Sequence, residues 1–204
     1  MENNKDIVTI YETWSVFKMA ADAVVVSSNI HGACPKRNSL MSQAFSLAGE
    51  DFKNDFEQDM RFTPKYGEVR LFDSYKLNHL FKKIMVTFPG TGSAGDMLIV
   101  FKTILDTMAS LKLYSISIPL IGTNVGGISV SEWAKQFNIA LNQYYERRQS
   151  FEPLQRINIL FSYYDNWDST AEDIKDMIDD DFIEVHPVMK LYNRRYLSRA
   201  VDKS

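Results

Sequence analysis

Short runs rich in β-branched apolar residues alternate along this chain with stretches in which apolar residues recur every three or four positions. That is how strands alternating with amphipathic helices read in one dimension. The pattern predicts strands over residues 7–11, 22–27, 68–72, 84–88, 115–121 and 157–163. It predicts a helix over 39–59, with Leu40, Ala44, Phe45, Ala48 and Phe52 on one face, and another over 96–112 through Leu98, Phe101, Leu105 and Met108. Two more are expected over 130–147 and 170–178. Runs such as Ala23-Val24-Val25-Val26 are apolar at every position, as central strands covered on both faces must be. The expected fold class is α/β, a three-layer α/β/α sandwich.

With 204 residues, 45% of them hydrophobic, the chain can bury one sizeable core. No repeat and no long Pro/Gly/Ser-rich linker divides it, so one domain over 1–182 is expected, followed by a tail or helix over 183–204. Asp168, Glu172, Asp173, Asp176, Asp179, Asp180, Asp181 and Glu184 face only Lys175, after which Lys190, Arg194, Arg195, Arg199 and Lys203 reverse the sign. The tail reads either as a helix with a solvated basic face or as a contact for RNA or a protein partner. A net charge of −3 argues against a duplex nucleic-acid binder. Cys34 is the only cysteine, so neither an intrachain disulfide nor a Cys-rich zinc site is available, and a reducing compartment fits. No apolar h-region opens the chain and no apolar run approaches the roughly 20 residues of a membrane span. The expectation is a cytoplasmic protein without a membrane segment.

Three segments place glycine or small polar residues after a predicted strand, the edge at which open α/β sheets bind ligands. They are Ser27-Ser28-Asn29-Ile30-His31-Gly32, Pro89-Gly90-Thr91-Gly92-Ser93-Ala94-Gly95 and Ile121-Gly122-Thr123-Asn124-Val125-Gly126-Gly127-Ile128. Gly90, Gly92 and Gly95 spell a G-x-G-x-x-G, which raises an NAD(P)-dependent oxidoreductase as an alternative. The following strand has no acidic residue at its end to hold a ribose, and Asp96 stands where a P-loop needs its lysine. A plain turn capped by Ser93 is the competing reading. In the third segment the glycines either let successive N–H groups cradle phosphate oxygens or serve only a strand-to-helix turn.

The first segment, with Asp22-Ala23-Val24-Val25-Val26-Ser27-Ser28-Asn29, then Gly32, then a predicted helix ending Ala48-Gly49, resembles the opening of a macro domain. That family carries an apolar strand ending Asn-Ala-Ala-Asn, a glycine-bearing loop and a helix finishing in Ala-Gly. Gly67-Glu68-Val69 resembles its Gly-Glu-Val strand, and Ile84 through Gly90 is similar to its strand running into Gly-Pro. The segment from Ser115 to Gly127 resembles its second phosphate loop, and the run from Ile159 to Asp165 its last strand, ending Tyr-Asp. The pieces come in the family's order across residues 7–178. The resemblance implies a mixed central sheet and a cleft for ADP-ribose or a related NAD-derived nucleotide. Asn29 would bond the distal ribose, and His31, Gly32, Ser39 and Leu40 would line the first loop. Main-chain donors of Thr123, Asn124, Val125, Gly126 and Gly127, between Gly122 and Ile128, would hold the diphosphate. Tyr164 would stack on or beside the adenine.

The chain also departs from that pattern. Ser15, followed by Val16, stands where the family has an adenine-binding Asp, with Glu12 as a substitute. Lys36 and Arg37 occupy a loop that is bare glycine in the family, where they read as solvated charges or as contacts for an extra phosphate. Met41 stands nearest the Asp that orients water in the hydrolase branch, and a thioether accepts no proton. Asn124 replaces a common glycine and can still adopt a left-handed backbone. Asn29 and His31 remain the candidates for catalysis; Cys34 has no evident base. No residue spacing suggests a metal, and no cofactor is expected. The sequence therefore points to a module that reads ADP-ribosylated proteins or sequesters the free nucleotide, with hydrolysis of an ADP-ribosyl ester or of ADP-ribose 1″-phosphate as the enzymatic version. A macro-fold scaffold without ligand is the third class.

Overall fold

The apolar runs do pair side by side, and most of them in parallel. The computed structural model describes residues 7–12, 15–30, 39–90, 93–123, 127–147, 154–161 and 167–178. Its strands are β1 (Ile7–Glu12), β2 (Ala23–Ser27), β3 (Val69–Asp73), β4 (Lys83–Thr87), β5 (Ser115–Pro119) and β6 (Arg156–Phe161). They form one six-stranded sheet in the order β1-β6-β5-β2-β4-β3. All neighbours run parallel except β3, which lies antiparallel on β4 at the edge. The sheet is thus mixed, with its five parallel strands pointing their carboxyl ends the same way.

The helices are α1 (Leu40–Ala48), α2 (Glu50–Asp59), α3 (Ala94–Ser110), α4 (Val130–Glu146) and α5 (Trp167–Lys175). Because strand side chains alternate, each strand feeds both faces. Val24, Val26, Ile84 and Val86 join Met41, Ala44, Phe52 and Phe56 of α1 and α2 in one core. Ala23, Val25, Met85, Ile116 and Ile159 join Phe101, Trp133, Phe137 and Ile174 of α3, α4 and α5 in the other. Two apolar layers on one sheet make the three-layer sandwich, and they explain why the central runs carry no polar alternation.

The expected single helix over 39–59 is instead two. Gly49 separates them with φ at 96°, a left-handed value that ends α1 and restarts the chain as α2. The stem of Lys76 fills the space where a side chain on Gly49 would stand, at 2.9 Å. The other elements fall within a few residues of expectation, the largest shift being α5, which begins three residues earlier than predicted. The expected tail over 183–204 lies outside the described residues.

One cross-strand row is polar although buried. Thr9, Asn158 and Ser117 stand opposite one another on β1, β6 and β5. Asn158 Nδ2 donates to Ser117 Oγ at 3.0 Å, and Ser117 Oγ donates to the carbonyl of Met19 at 2.9 Å. This ties β5 and β6 to the chain leaving the short 3-10 turn Val16–Lys18.

Candidate nucleotide cleft at the carboxyl ends of the parallel strands

The parallel sheet brings the segments that follow β2, β4 and β5 to one edge, since these strands are neighbours and point the same way. After β2 the N–H of Ser28 donates to the carbonyl of Thr87 at 2.9 Å, which fixes the exit of β2 to the end of β4. Asn29 follows, exposed at that edge.

After β5 the chain turns sharply. The N–H of Ile121 reaches the carbonyl of Pro119 at 2.7 Å, and Thr123 Oγ1 donates to the carbonyl of Leu120 at 2.8 Å. Gly122 sits at φ 83°, a conformation that favours glycine, and its own carbonyl accepts from the N–H of Ile128 at 3.2 Å. A methyl group on Gly122 would come within 3.1 Å of Met97 Sδ and 3.9 Å of Pro89. The loop is therefore pinned at its base against the loop after β4 and the first turn of α3. Ser129 then caps α4, its Oγ accepting from the N–H of Glu132 at 3.1 Å.

The expected site residues take different places in this frame. Asn29, Gly122, Thr123 and Gly127 share the carboxyl edge, and Gly127 is exposed with φ at 75°. The N–H of Thr123 turns back to the carbonyl of Leu120 at 3.4 Å. Ile128 is only 6% exposed and Val16 only 2%, so each side chain belongs to the core and only main-chain atoms remain for a ligand. Ser15 caps the 3-10 turn, its Oγ accepting from the N–H of Phe17 at 3.4 Å. Ser39 caps α1, accepting from the N–H of Ser42 at 3.1 Å, and Leu40 begins that helix, partly buried. His31, Gly32, Asn124, Val125, Gly126 and Tyr164 lie outside the described residues. The expected Ser93 cap is present, with the N–H of Asp96 donating to Ser93 Oγ at 3.2 Å.

Asp22, Tyr66 and Asp96, to which the sequence assigns no place in the site, also have definite positions. Asp22 lies at the opposite, amino end of β2, where its carboxylate accepts from the N–H groups of Tyr114 and Ser115 and pairs with Lys82 at 2.7 Å. Burial alone would push this carboxyl up, but the Lys82 ammonium and the two amides hold it below the usual carboxylate value. It clamps strands at the end away from the cleft. Tyr66 and Asp96 flank Gly90 beside the cleft; the only sequence signal was the Ser93-to-Asp96 spacing, which reads as a helix cap.

A groove of about 490 Å³ also lies between α2 and β3, lined by Asp55, Asp59, Asp73, Tyr75 and Lys83 among others. Its carboxylates are already engaged, Asp55 by Tyr75, Asp59 by Arg70 and Asp73 by Lys83. Among the described residues no cluster of His, Cys, Asp and Glu could hold a metal ion, and no helix is long and apolar enough to cross a membrane.

Solved structures identify the fold. The macro domain of ganglioside induced differentiation associated protein 2 superposes with a TM-score of 0.71 at 15% identity, covering 87% of this chain and 85% of that one. The Trypanosoma brucei macrodomain in complex with ADP-ribose gives 0.66 at 15% identity, covering 83% and 68%. The Oceanobacillus iheyensis macrodomain with ADP gives 0.69 at 16% identity, covering 81% and 88%. No protein-family model matches the sequence, and no curated protein matches it.

Proposed function

Starting from the macrodomain fold, we propose that this chain binds ADP-ribose or a related NAD-derived nucleotide diphosphate in the cleft at the carboxyl ends of β6, β5 and β2. The observation that carries this reading is the juxtaposition of Asn29 after β2 with the pinned Gly122–Ile128 loop after the adjacent β5. A loop closed at its base and fed by glycines can aim main-chain N–H groups at phosphate oxygens without burying a lysine. Two of the solved neighbours hold ADP-ribose and ADP, which supports the same ligand class here. In this assignment Asn29 bonds the distal ribose, the loop after β5 takes the diphosphate, and Tyr164 after β6 meets the base.

The chain acts as a reader of ADP-ribosylated protein or as a module that sequesters the free nucleotide. Met41 favours binding over hydrolysis: it stands nearest the position of the hydrolase carboxylate, carries no proton acceptor, and is 3% exposed within the α1 core. Any release of ADP-ribose would then depend on a positioned water without that base.

Amide NMR tests the placement. Titration with ADP-ribose should shift the signals of Ser28, Asn29, Gly122 and Gly127 and leave those of Tyr114 and Ser115, at the amino end of the sheet, in place. Shifts centred on the amino end, or on the groove between α2 and β3, would overturn it.

A further inference from the structure

The sheet order places the carboxyl ends of β6, β5, β2 and β4 in succession along one edge. If the base lies by β6, the diphosphate by β5 and the distal ribose by β2, the group joined to that ribose leaves toward the end of β4. This inference rests on the proposed ligand, and what stands at the end of β4 follows from the geometry there.

Gly90, three residues past the end of β4, sits at φ 71°. A methyl on it would lie 3.0 Å from Cδ1 of Tyr66 and 3.1 Å from Oδ2 of Asp96, so an aromatic ring and a carboxylate flank the same stretch of main chain. The group adjoins the proposed cleft, because Met97, next to Asp96 in the first turn of α3, touches the position of Gly122. Asp96 stands three residues after the cap Ser93, where an acidic side chain commonly bonds back to the cap's N–H. Here its own N–H bonds Ser93 Oγ, while no hydrogen bond or ion pair engages its carboxylate among the described residues. Tyr66 is 51% exposed, leaving ring surface open beside it.

An aromatic face next to an unengaged carboxylate is complementary to a guanidinium, which stacks on the one and donates to the other. The chain uses the same chemistry internally nearby, where Arg70 lies 5.6 Å from the Phe88 ring centroid and pairs with Glu68 and Asp59. We propose that Tyr66 and Asp96 form a guanidinium-binding notch at the distal end of the cleft. It selects ADP-ribosylated protein segments that carry an arginine beside the modified residue.

The test uses three synthetic peptides, each bearing ADP-ribose on a serine, with arginine, lysine or alanine next to it. Fluorescence anisotropy reads their affinities for the full chain, and calorimetry reads free ADP-ribose. The arginine peptide should bind about fivefold or more tighter than the alanine peptide. Asp96→Asn and Tyr66→Ala should each remove that advantage, leaving affinity for free ADP-ribose and the melting temperature unchanged. Equal binding of the arginine and alanine peptides while free ADP-ribose still binds would overturn the notch and leave the proposed ligand standing. A lysine peptide as tight as the arginine one, or an advantage that survives both substitutions, would also overturn it. Absence of any binding by free ADP-ribose would instead overturn the ligand assignment, and the notch with it.

Discussion

The carbonyl of Gly122 accepts the N–H of Ile128 at 3.2 Å, which closes the loop after β5 at its base while the Ile128 side chain anchors in the core beneath it. The loop is thus held by one hydrogen bond and one apolar plug. Gly127, beside that anchor, is exposed at the carboxyl edge of the sheet.

That arrangement makes Gly122 sensitive to substitution. Gly122→Ala forces a Cβ into φ 83° and against Met97 Sδ, and should cost about 1–3 kcal/mol of stability. Gly95, in α3 with open space around it, should accept alanine neutrally or gain about 0.5–1 kcal/mol. Urea denaturation midpoints of the two variants compare them directly, and similar losses in both would contradict the loop geometry.

Asp22 predicts an acid sensitivity. Its folded pKa lies below the ordinary 3.8, so its stabilising contribution is complete above that value and disappears as the pH falls through the folded pKa. The stability gap between the unaltered chain and Asp22→Asn should therefore be full at neutral pH and close below about 3.8. A gap that widens in acid would reverse the assigned sign.

Met41 lies in the apolar core under α1, not on a free rim. Met41→Asp should lose more than about 3 kcal/mol, because it buries a carboxylate without a partner. It should not create a hydrolase. Thermal melting read beside an ADP-ribosyl ester assay separates these outcomes, and a stable, active variant would contradict the burial.

Ser117 Oγ accepts from the Asn158 amide nitrogen at 3.0 Å, and Asn158 Oδ1 is buried without a partner among the described residues. Ser117→Ala should destabilise the chain by about 1–3 kcal/mol, more than loss of a methyl-sized group on the surface would. A change below about 0.5 kcal/mol would show that the row has another way to satisfy its polar atoms.

The sandwich was readable because runs such as 23–26 and 84–86 are apolar on both alternating faces, the pattern of strands buried on both sides. The break at Gly49 was harder, since a glycine within a helical pattern signals its end only through its backbone angle and the Lys76 stem beside it. The segments that gather at the carboxyl edge were legible because Asn29 and the glycines after β5 directly follow apolar runs. The roles of Asp22 and of Tyr66 with Asp96 were not. Asp22 bonds amides more than ninety positions away, and Tyr66 meets Asp96 only across Gly90. Such pairings come from tertiary structure and leave no periodic trace in the chain.

Calorimetric titration with ADP-ribose, with NAD and AMP as controls, decides whether the cleft takes this nucleotide. ADP-ribose should bind saturably and more tightly than both controls, and the binding should be lost in Gly126→Glu, which sets a carboxylate in the loop assigned to the diphosphate. Absence of heat and of thermal shift with all three nucleotides would contradict it.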